Sequence, residues 1–404
     1  MSDVRLLRIA IVTHGYDHPN GVQTVARWLV DNLRGTGHKV TVFDLATSRA
    51  DAYSRLLSRP SSWRRPLLAT DPGDPSLVHV GAWGAEVEPF RYLPRRAMTA
   101  ALRRFDVVQV VAGGPAPACA VRRCRVPTVL QVASTAGWER RYTGAAPGPA
   151  RWWRQAMTAA TSVLERSALR SVSAVLVENR RMLAFAESVG QPAVELAPPG
   201  VDTARFRPHP AGWQSGGYLL SLCRLDEERK ALDRLVRAYG LMVRARPGLP
   251  PLVLAGRGPL PGPLARQIED EQLTRRVLVR TDVAAVDLPG LYAGASVFLQ
   301  SSHEEGLGLS LLEAMSCGLP VVSTATAGTL ESVVDGETGW LVDQQPDVEA
   351  ALARQCLAVL DGDGIGMSGA ARRRAKSHFG TDVTLERFLR TYRSVLDHAD
   401  QPAS

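Results

Sequence analysis

The sequence predicts an α/β protein with two doubly wound domains, and three observations lead to that prediction. The chain has 404 residues, of which 45% are hydrophobic, and this length exceeds the usual size of a single core. Short runs rich in β-branched residues alternate with longer helical patterns in both halves, as in parallel sheets built from βαβ units. Between the halves, residues 196–217 are rich in Pro and Gly and show no hydrophobic period.

The first half contains five predicted strands. They are LRIAIVTH (7–14), KVTVFDL (39–45), DVVQVV (106–111), TVLQVAS (128–134) and SAVLVEN (173–179). Residues 21–37 have apolar side chains at helical spacing, and Gly35 or Gly37 ends that helix. Residues 48–76 are rich in Arg, Pro and Ser, so we expect a long mobile excursion there.

The second half repeats the rhythm with six predicted strands. They are GYLLSLCR (217–224), PLVLAGRG (251–258), RVLVRTD (276–282), SVFLQSS (296–302), PVVST (320–324) and GWLVD (339–343). The run TDVTLERFLRTYRSVLDHA (381–399) predicts a final amphipathic helix. We therefore assign residues 1–198 to the first domain, 199–382 to the second, and 383–404 to a terminal helix and tail.

Composition narrows the class of protein. The formal net charge of +8 permits anionic partners such as nucleotides, lipid surfaces or nucleic acid, without choosing among them. The five cysteines lack the spacing of a zinc site, which favours reduced thiols in a cytoplasmic protein. The N-terminal apolar stretch is too short for a signal peptide, and no run is long enough to span a membrane.

Two acids frame the segment SSHEEGLGLSLLEAMSCGLPVVS (301–323). Glu305 follows a predicted strand, and the ligand crevice of an open α/β sheet lies at such strand ends. Glu313 is the only charge from Gly308 to Met315, and a buried carboxylate needs hydrogen-bond donors. Helical geometry would place the two acids about 12 Å apart, with an anion-binding helix start between them. From spacing alone, a surface acid and a chance salt bridge explain the pattern better.

Other segments of the chain favour a ligand site at the two acids over a chance salt bridge. The runs GVDTARFRP (200–208), CRLDEERKALDRLVRAY (223–239), LAGRGPL (254–260) and EEGLGLSLLEAMSCGLPVVST (304–324), in this order, closely resemble glycosyltransferase family 4. The opening NGVQTVARWLVDNLRGTGHKVTVF (20–43) resembles it more weakly. The resemblance implies two Rossmann-like domains of GT-B fold, with the terminal helix crossing back to the first. It also implies a nucleotide-sugar donor on the second domain, an acceptor on the first, and transfer with retention.

The resemblance also implies roles for individual residues. Glu305 matches the acid that faces the donor sugar, and Glu313 matches the acid that binds the ribose. Arg224 and Lys230 match the basic pair that holds the diphosphate. The predicted catalytic residues are therefore Glu305, Arg224 and Lys230, and the predicted donor-binding residues are Glu313, Gly306, Leu307, Gly308, Leu309, Gly21, Thr281 and Gly256.

Three departures from the family pattern matter. Lys230 lies six residues beyond Arg224, where the family usually has five, and Arg229 occupies the expected offset, so we infer a one-residue insertion. Asn20 replaces the first of two glycines, which Asn tolerates by entering left-handed conformations. No histidine occurs in DVVQVVAGG (106–114), where many relatives carry one near the donor sugar. Either Gln109 or another group therefore contacts the sugar there, or the sugar is bound differently.

Acceptor contacts are predicted from fewer signals. His14 and His18 have the spacing of a zinc-binding helix, but they lie in a turn that contains Gly and Pro, so we expect them to contact acceptor or phosphate, together with Gln109. No metal site and no cofactor other than the donor substrate is predicted. The runs RYLPRRAMTAALRRF (91–105) and RWWRQAM (151–157) could form an interfacial membrane patch, although a solvated helix face is the commoner origin of such a pattern.

The sequence therefore predicts a retaining, metal-independent glycosyltransferase. A UDP-linked hexose or N-acetylhexosamine is favoured as donor over GDP-mannose, and a small specialised metabolite slightly over an envelope glycolipid as acceptor. A nucleotide-sugar epimerase of the same architecture is the alternative enzyme, and a lipid-surface or nucleic-acid binding protein is the alternative of another class. A Rossmann oxidoreductase would need a Gly-x-Gly-x-x-Gly turn, which is absent. Nucleic acid is not predicted as a partner, and the sequence specifies no oligomeric state.

Overall fold

The chain divides into two compact units. The computed structural model describes residues 5–17, 20–142 and 148–400. Unit 1 takes in residues 1–141, 145–199 and 384–404, and unit 2 takes in residues 142–144 and 200–383, as far as these are described. Each unit is built on a largely parallel sheet, so the prediction of two doubly wound α/β domains is confirmed.

Among the described residues of unit 1, eight strands form one sheet. They are β1 (Arg8–His14), β2 (Lys39–Leu45), β3 (Leu68–Thr70), β4 (Leu77–Val80), β5 (Val107–Ala112), β6 (Thr128–Val132), β7 (Ala174–Val177) and β8 (Val194–Leu196). Their order is β3-β4-β2-β1-β5-β6-β7-β8, and only β3 runs antiparallel to its neighbour. The order reverses between β1 and β5, so the loops that follow these two strands lie at the ligand-binding edge.

Residues 48–76 contain more structure than the sequence predicts. They include a short 3₁₀ helix at Pro60–Arg64 and strand β3. Glu86, which lies outside this segment, binds it through two hydrogen bonds. Its Oε1 accepts from the backbone N and the Oγ of Ser58 at 2.9 and 2.7 Å. Part of this segment therefore forms regular secondary structure that the sequence did not predict.

Helices flank the sheet of unit 1. They are α1 (Gly21–Gly35), α2 (Glu88–Arg91), α3 (Arg96–Leu102), α4 (Ala136–Glu139), α5 (Pro149–Ser171) and α6 (Arg180–Ser188). Helix α1 begins where Asn20 Oδ1 accepts a hydrogen bond from the Gln23 backbone N at 2.9 Å, which satisfies a free donor of the first turn. Asn20 has an extended backbone, with φ of −155°. It therefore serves as a helix cap, and the left-handed conformation expected for it is not used.

Among the described residues of unit 2, six parallel strands form one sheet in the order β11-β10-β9-β12-β13-β14. They are β9 (Tyr218–Arg224), β10 (Leu252–Arg257), β11 (Val277–Thr281), β12 (Ala295–Gln300), β13 (Val321–Thr324) and β14 (Gly339–Val342). Alternate residues of the central strands enter different cores: Leu219 and Leu254 pack on one face, while Leu220 and Val253 pack on the other. Burial on both faces explains why these strands are continuous apolar runs in the sequence.

The helices of unit 2 follow its strands along the chain. They are α7 (Leu232–Ala245), α8 (Gly262–Asp270), α9 (Leu288–Ala293), α10 (Leu309–Ser316), α11 (Ala327–Ser332), α12 (Val348–Ala358) and α13 (Gly364–Phe379). The first three residues of the final helix, α14 (Thr381–Asp400), belong to unit 2, and its residues from Thr384 onward belong to unit 1.

Helix α14 explains the environment of Gln109. The Tyr392 hydroxyl of α14 donates to Gln109 Oε1 at 2.9 Å, and Gln109 Nε2 donates to the Val110 carbonyl at 2.9 Å. Both Tyr392 and Gln109 are fully buried. Gln109 is therefore a core residue that anchors the terminal helix, contrary to the expectation that it contacts a substrate.

Candidate functional site

The predicted site residues of unit 2 gather where its strand order reverses. Strand β9 has β10 on one side and β12 on the other, so a crevice opens outside the carboxyl ends of β9 and β12. Arg224 is the last residue of β9, and residues 301–308 follow β12. The topology thus brings together two segments that lie about 80 residues apart in the sequence.

Lys230 and Glu305 form the central contact of this site. Lys230 Nζ lies 2.6 Å from Glu305 Oε1, and the two side chains are only 13% and 10% exposed. The Ser302 hydroxyl donates to the same carboxylate oxygen at 2.7 Å. The loop that carries Lys230 is fixed in turn by Ser301 Oγ, which donates to the carbonyls of Lys230 and Ala231 at 3.1 and 2.9 Å.

These contacts decide the charge state of Glu305. Burial acts to raise the pKa of this carboxyl, but the charges of Lys230 and Arg229 and the hydrogen bonds from Lys230 and Ser302 outweigh it. The pKa of Glu305 is therefore lowered below its usual value. Glu305 is an anion at neutral pH, held against a cation with little water around it.

Helix α11 supports the backbone at Glu305. The Gly328 backbone N in its first turn donates to the Glu305 carbonyl at 3.0 Å. A Cβ atom on Gly328 would lie only 2.5 Å from Leu307 N and Leu307 Cα. Only glycine therefore permits this approach, which fixes the path of the loop from Glu305 through Gly306 to Gly308.

Arg224 and Arg229 share an acid of their own. Glu227 Oε2 lies 2.8 Å from Arg224 Nη2, and Glu227 Oε1 lies 2.8 Å from Arg229 Nη2. Arg224 is about half exposed, whereas the Arg229 side chain is 16% exposed. Lys230 thus contacts Glu305 directly, while both arginines pair with Glu227 and the charge of Arg229 also acts on Glu305.

Glu313 is held by a different part of the fold. It lies in α10, and its Oε2 accepts a hydrogen bond from the buried Tyr292 hydroxyl at 2.7 Å. Burial raises the pKa of Glu313 to about 7, against the lowering effects of the Tyr292 hydrogen bond and the charge of Arg205. Burial therefore favours the protonated form of this carboxyl more than water does at an exposed glutamate.

The remaining predicted donor residues of unit 2 lie at strand ends or helix starts. Gly308, with φ of +85°, precedes the first residue of α10, Leu309. Gly256 and Thr281 pair in register at the ends of β10 and β11. Gly256 has φ of +147°, and a Cβ atom there would lie 1.6 Å from the Cys223 carbonyl oxygen. The tight strand packing by itself thus requires glycine at 256.

Two of the predicted residues of unit 1, His14 and Gly21, lie at the end of β1 and the start of α1. His14 is the last residue of β1, and burial lowers the pKa of its imidazole. Gly21 begins α1, and a Cβ atom added to it would contact nothing within 4 Å among the described residues. His18 lies outside the described residues.

Sequence reasoning did not find Gln300, the last residue of β12. Gln300 is 7% exposed, and neither of its side-chain amide atoms has a hydrogen-bond partner among the described residues. A Cβ atom built on Gly308 would lie 3.7 Å from Gln300 Oε1 and 3.8 Å from Gln300 Nε2. A buried, unpaired amide at the strand-order reversal points to a ligand or an ordered water. A polar residue at the carboxyl end of the strand, directly after the apolar run 297–299, was the available signal.

Comparison with known proteins places the chain among glycosyltransferases. A family model described as Glycosyltransferase Family 4 matches residues 19–205, and one described as Glycosyl transferases group 1 matches residues 216–362. Together the two matches cover most of both units.

Two curated relatives carry the same name, GDP-mannose-dependent alpha-(1-6)-phosphatidylinositol monomannoside mannosyltransferase. The Mycobacterium tuberculosis protein is 28% identical over 389 residues, which cover 91% of this chain and 92% of the relative. The Mycolicibacterium smegmatis protein is 36% identical over 183 residues, which cover 41% of this chain and only 47% of that relative.

A solved structure shows the same fold over nearly the whole chain. The crystal structure of Anabaena HepE in complex with UDP and glucose superposes on this chain with a TM-score of 0.68. The two sequences are 17% identical, and the match covers 96% of this chain and 100% of that chain. Separately, none of the described helices is both long enough and apolar enough to cross a membrane.

Proposed function

Because this chain belongs to glycosyltransferase family 4 and has the GT-B fold, we propose that it transfers a hexose or N-acetylhexosamine from a nucleotide sugar to an acceptor hydroxyl, with retention of configuration. The observation that carries the proposal is the contact between Lys230 and Glu305 at the strand-order reversal of unit 2. Arg224 at the end of the adjacent strand supports it.

The proposed chemistry needs two opposite charges in one crevice. As the bond between the anomeric carbon and the diphosphate breaks, negative charge grows on the diphosphate and positive charge grows on the sugar. The Arg224 guanidinium and the Lys230 ammonium stabilise the first, and the Glu305 carboxylate stabilises the second. Lys230 uses one N–H on Glu305 and has two more to offer the diphosphate. These two cations perform the neutralisation without a metal ion at the diphosphate.

Glu313 is proposed to bind the ribose. Tyr292 donates to one carboxylate oxygen, and a carboxylate has further lone pairs that can accept hydrogen bonds from two ribose hydroxyls. The start of α10, after Gly308, would favour an anion between the two acids, as helix N-termini do in general. Gln300, which faces Gly308 with an unpaired amide, is proposed as a further donor contact.

GDP-mannose is the donor to test first. Both mannosyltransferase relatives depend on it by name, and one of them matches this chain over 92% of its own length. Sequence analysis favours a UDP-sugar. HepE has the same fold and was crystallised with UDP and glucose, but at 17% identity this similarity supports the fold alone. UDP-glucose and UDP-N-acetylglucosamine are therefore the competing donors in the same assay.

A lipid-linked acceptor is favoured over a soluble metabolite. The relatives act on a phosphatidylinositol mannoside by name. At the start of α5, Trp152 and Trp153 are 75% and 57% exposed, and Arg151 and Arg154 flank them. Exposed indoles beside arginines favour contact with the interface of an anionic membrane. We therefore propose that the protein meets its acceptor at a membrane surface.

The decisive experiment measures nucleotide binding and then transfer. Thermal unfolding is recorded with GDP, UDP, GDP-mannose and the two UDP-sugars, and a nucleotide at about 100 times its dissociation constant should stabilise by about 2.7 kcal/mol. The stabilising donor is then incubated with vesicles that contain phosphatidylinositol mannosides. No shift with any nucleotide would contradict the donor site. Sugar release or isomerisation without a glycosylated product would favour the epimerase alternative.

A further inference from the structure

A second polar cluster lies in unit 1, near the carboxyl ends of parallel strands. Asp44 is in β2, His79 is in β4, and Asp17 is in the turn that follows β1. One potential ligand atom from each residue lies within 4.8 Å of the other two. Ligand atoms that share an ion at about 2.1 Å lie no more than about 4.2 Å apart. Small rotations of the three side chains would therefore bring their ligand atoms close enough to coordinate one ion.

Thr13 provides an independent observation on the same face of the sheet. Thr13 pairs in register with Asp44, and Asp44 pairs in register with His79. Directly paired residues of neighbouring strands project to the same face. Thr13 is fully buried, and its Oγ1 has no hydrogen-bond partner among the described residues. A buried hydroxyl next to Asp44, on the sheet face that carries Asp44 and His79 and without a partner among the described residues, points to a ligand or to the water bound by one.

Residues outside the cluster orient the His79 imidazole and the Asp44 carboxylate. His79 Nε2 lies 3.1 Å from Asp71 Oδ2, and the Tyr53 ring stacks on the imidazole at a centroid distance of 5.2 Å. The Tyr16 backbone N donates to Asp44 Oδ1 at 3.1 Å. Histidines that bind metals usually donate their other ring N–H to a carboxylate, a backbone carbonyl or a water, which fixes the ring and its tautomer.

We propose that Asp17, Asp44 and His79 bind a divalent transition-metal cation such as Mn²⁺ or Zn²⁺. One imidazole nitrogen with two carboxylates suits these ions better than Mg²⁺ or Ca²⁺, which prefer oxygen ligands alone. Two carboxylates and a neutral imidazole leave a net negative charge that the cation neutralises. Asp71 and Tyr53 position the imidazole, and the Thr13 hydroxyl binds a coordinated water. The site uses none of the proposed donor residues, so it does not depend on the proposed function.

The test is calorimetric titration of the full-length, EDTA-treated protein with Mn²⁺, repeated with Zn²⁺ and Mg²⁺. We expect one equivalent of Mn²⁺ to bind. Asp17→Asn changes an exposed residue without disturbing a core, and it should weaken binding at least about tenfold, as should His79→Gln. Asp31→Asn is the matched control, because Asp31 is an exposed acid on α1 outside the cluster, and it should leave the affinity unchanged.

Thr13→Val separates the proposed water contact from a purely structural role. The substitution removes an unpaired buried hydroxyl, so the metal-free protein should be at least as stable as wild type, while the affinity for Mn²⁺ falls severalfold. Absence of binding by both Mn²⁺ and Zn²⁺ would overturn the proposal. Binding that persists unchanged in Asp17→Asn and His79→Gln would overturn it equally, because it would reflect adventitious surface carboxylates. Equal affinity for Mg²⁺ would contradict the assignment to a transition metal.

Discussion

Lys230 Nζ lies 2.6 Å from Glu305 Oε1, which joins the loop after β9 to the loop after β12. Both side chains are almost buried, and Ser302 donates to the same carboxylate oxygen. A charge pair that is withdrawn from water needs each partner, because removing one leaves the other buried and uncompensated. The pair therefore couples the proposed sugar contact to the proposed diphosphate contact.

The first prediction concerns Lys230 and its neighbour Arg229. Lys230→Ala should lower turnover about 100-fold or more, because it removes a cation that acts on the leaving group. Arg229→Ala is the matched control, because it removes a neighbouring, largely buried cation that pairs with Glu227. Arg229 is not proposed to contact the diphosphate, so turnover should remain within about fivefold of wild type. Initial rates with saturating donor and acceptor measure both effects.

The reverse pattern would identify an alignment error. If Arg229→Ala abolished turnover while Lys230→Ala retained it, the inferred one-residue insertion between Arg224 and Lys230 would be wrong. Thermal unfolding of each variant shows whether a loss of rate reflects a loss of fold. Arg224→Ala should reduce turnover without loss of stability, because its guanidinium is about half exposed.

The second prediction uses the open space at Gly21. A Cβ atom at Gly21 contacts nothing within 4 Å in the described structure, and the same holds for Gly35 at the other end of α1. Alanine should fold normally at both positions, since it favours the helix over glycine. If a diphosphate approaches the backbone at Gly21, Gly21→Ala should lower turnover about tenfold or more, whereas Gly35→Ala should not. Equal rates for both variants would exclude a close approach at Gly21.

Much of the fold could be predicted from the sequence because its central strands are buried on both faces. The predicted bounds of β2, residues 39–45, are those of the structure. Strand β4, LVHV, was missed because it has only four residues, His79 interrupts the apolar run, and its existence depends on pairing with β2. A short strand that long-range pairing stabilises leaves little local signal.

The site was predicted only in part, for a related reason. Family resemblance supplied Glu305 and Lys230, but no local pattern shows that Tyr292 holds Glu313 or that Gln300 has no partner. Gln109 was assigned wrongly because its partner, Tyr392, lies 283 residues further along the chain. Hydrogen bonds across such separations are a property of the packed structure, and a sequence motif does not contain them.

The third prediction compares two buried glutamines, Gln300 and Gln109. Gln300→Leu removes an amide without a partner, so the free protein should be as stable as wild type or more so. Gln109→Leu leaves the buried Tyr392 hydroxyl without its acceptor and should cost about 1–3 kcal/mol. Denaturant unfolding measures both free energies.

Donor binding separates the two variants further. If the Gln300 amide contacts the donor, Gln300→Leu should weaken binding of the sugar nucleotide, measured by titration calorimetry, while Gln109→Leu should leave the affinity unchanged. A destabilised Gln300→Leu protein with normal donor affinity would mean that an ordered water satisfies the amide and that Gln300 has no role in the site.

The fourth prediction tests the exposed indoles of α5. Replacing Trp152 and Trp153 by Ala should reduce sedimentation with vesicles that contain anionic phospholipid, because the indoles supply most of the apolar contact. Val163→Ala is the control: Val163 is 68% exposed on the same helix but about 15 Å further along it. Undiminished vesicle binding by the double variant would show that this surface does not contact membrane, and a soluble acceptor would then be favoured.

The last prediction separates the roles of the two acids. Glu313 is proposed to hold ribose hydroxyls that do not react, so Glu313→Ala should weaken binding of the intact donor and of the free nucleoside diphosphate alike. Glu305 is proposed to contact only the sugar. Glu305→Gln keeps the size of the side chain and should leave diphosphate affinity within about threefold of wild type, while turnover falls about 100-fold or more because the contact strengthens as the sugar gains positive charge.

Two measurements, titration with the diphosphate alone and initial rates with donor and acceptor, keep these effects apart. Tyr292→Phe provides the control for Glu313, because it removes the hydrogen bond to that carboxylate and leaves the carboxylate itself. Its effect on diphosphate affinity should have the same direction as that of Glu313→Ala and be smaller. Because Glu305 also pairs with Lys230, a modest gain in diphosphate affinity in Glu305→Gln would agree with a freed ammonium. Equal losses of diphosphate affinity in Glu305→Gln and Glu313→Ala would show that the two acids do not divide the donor between them.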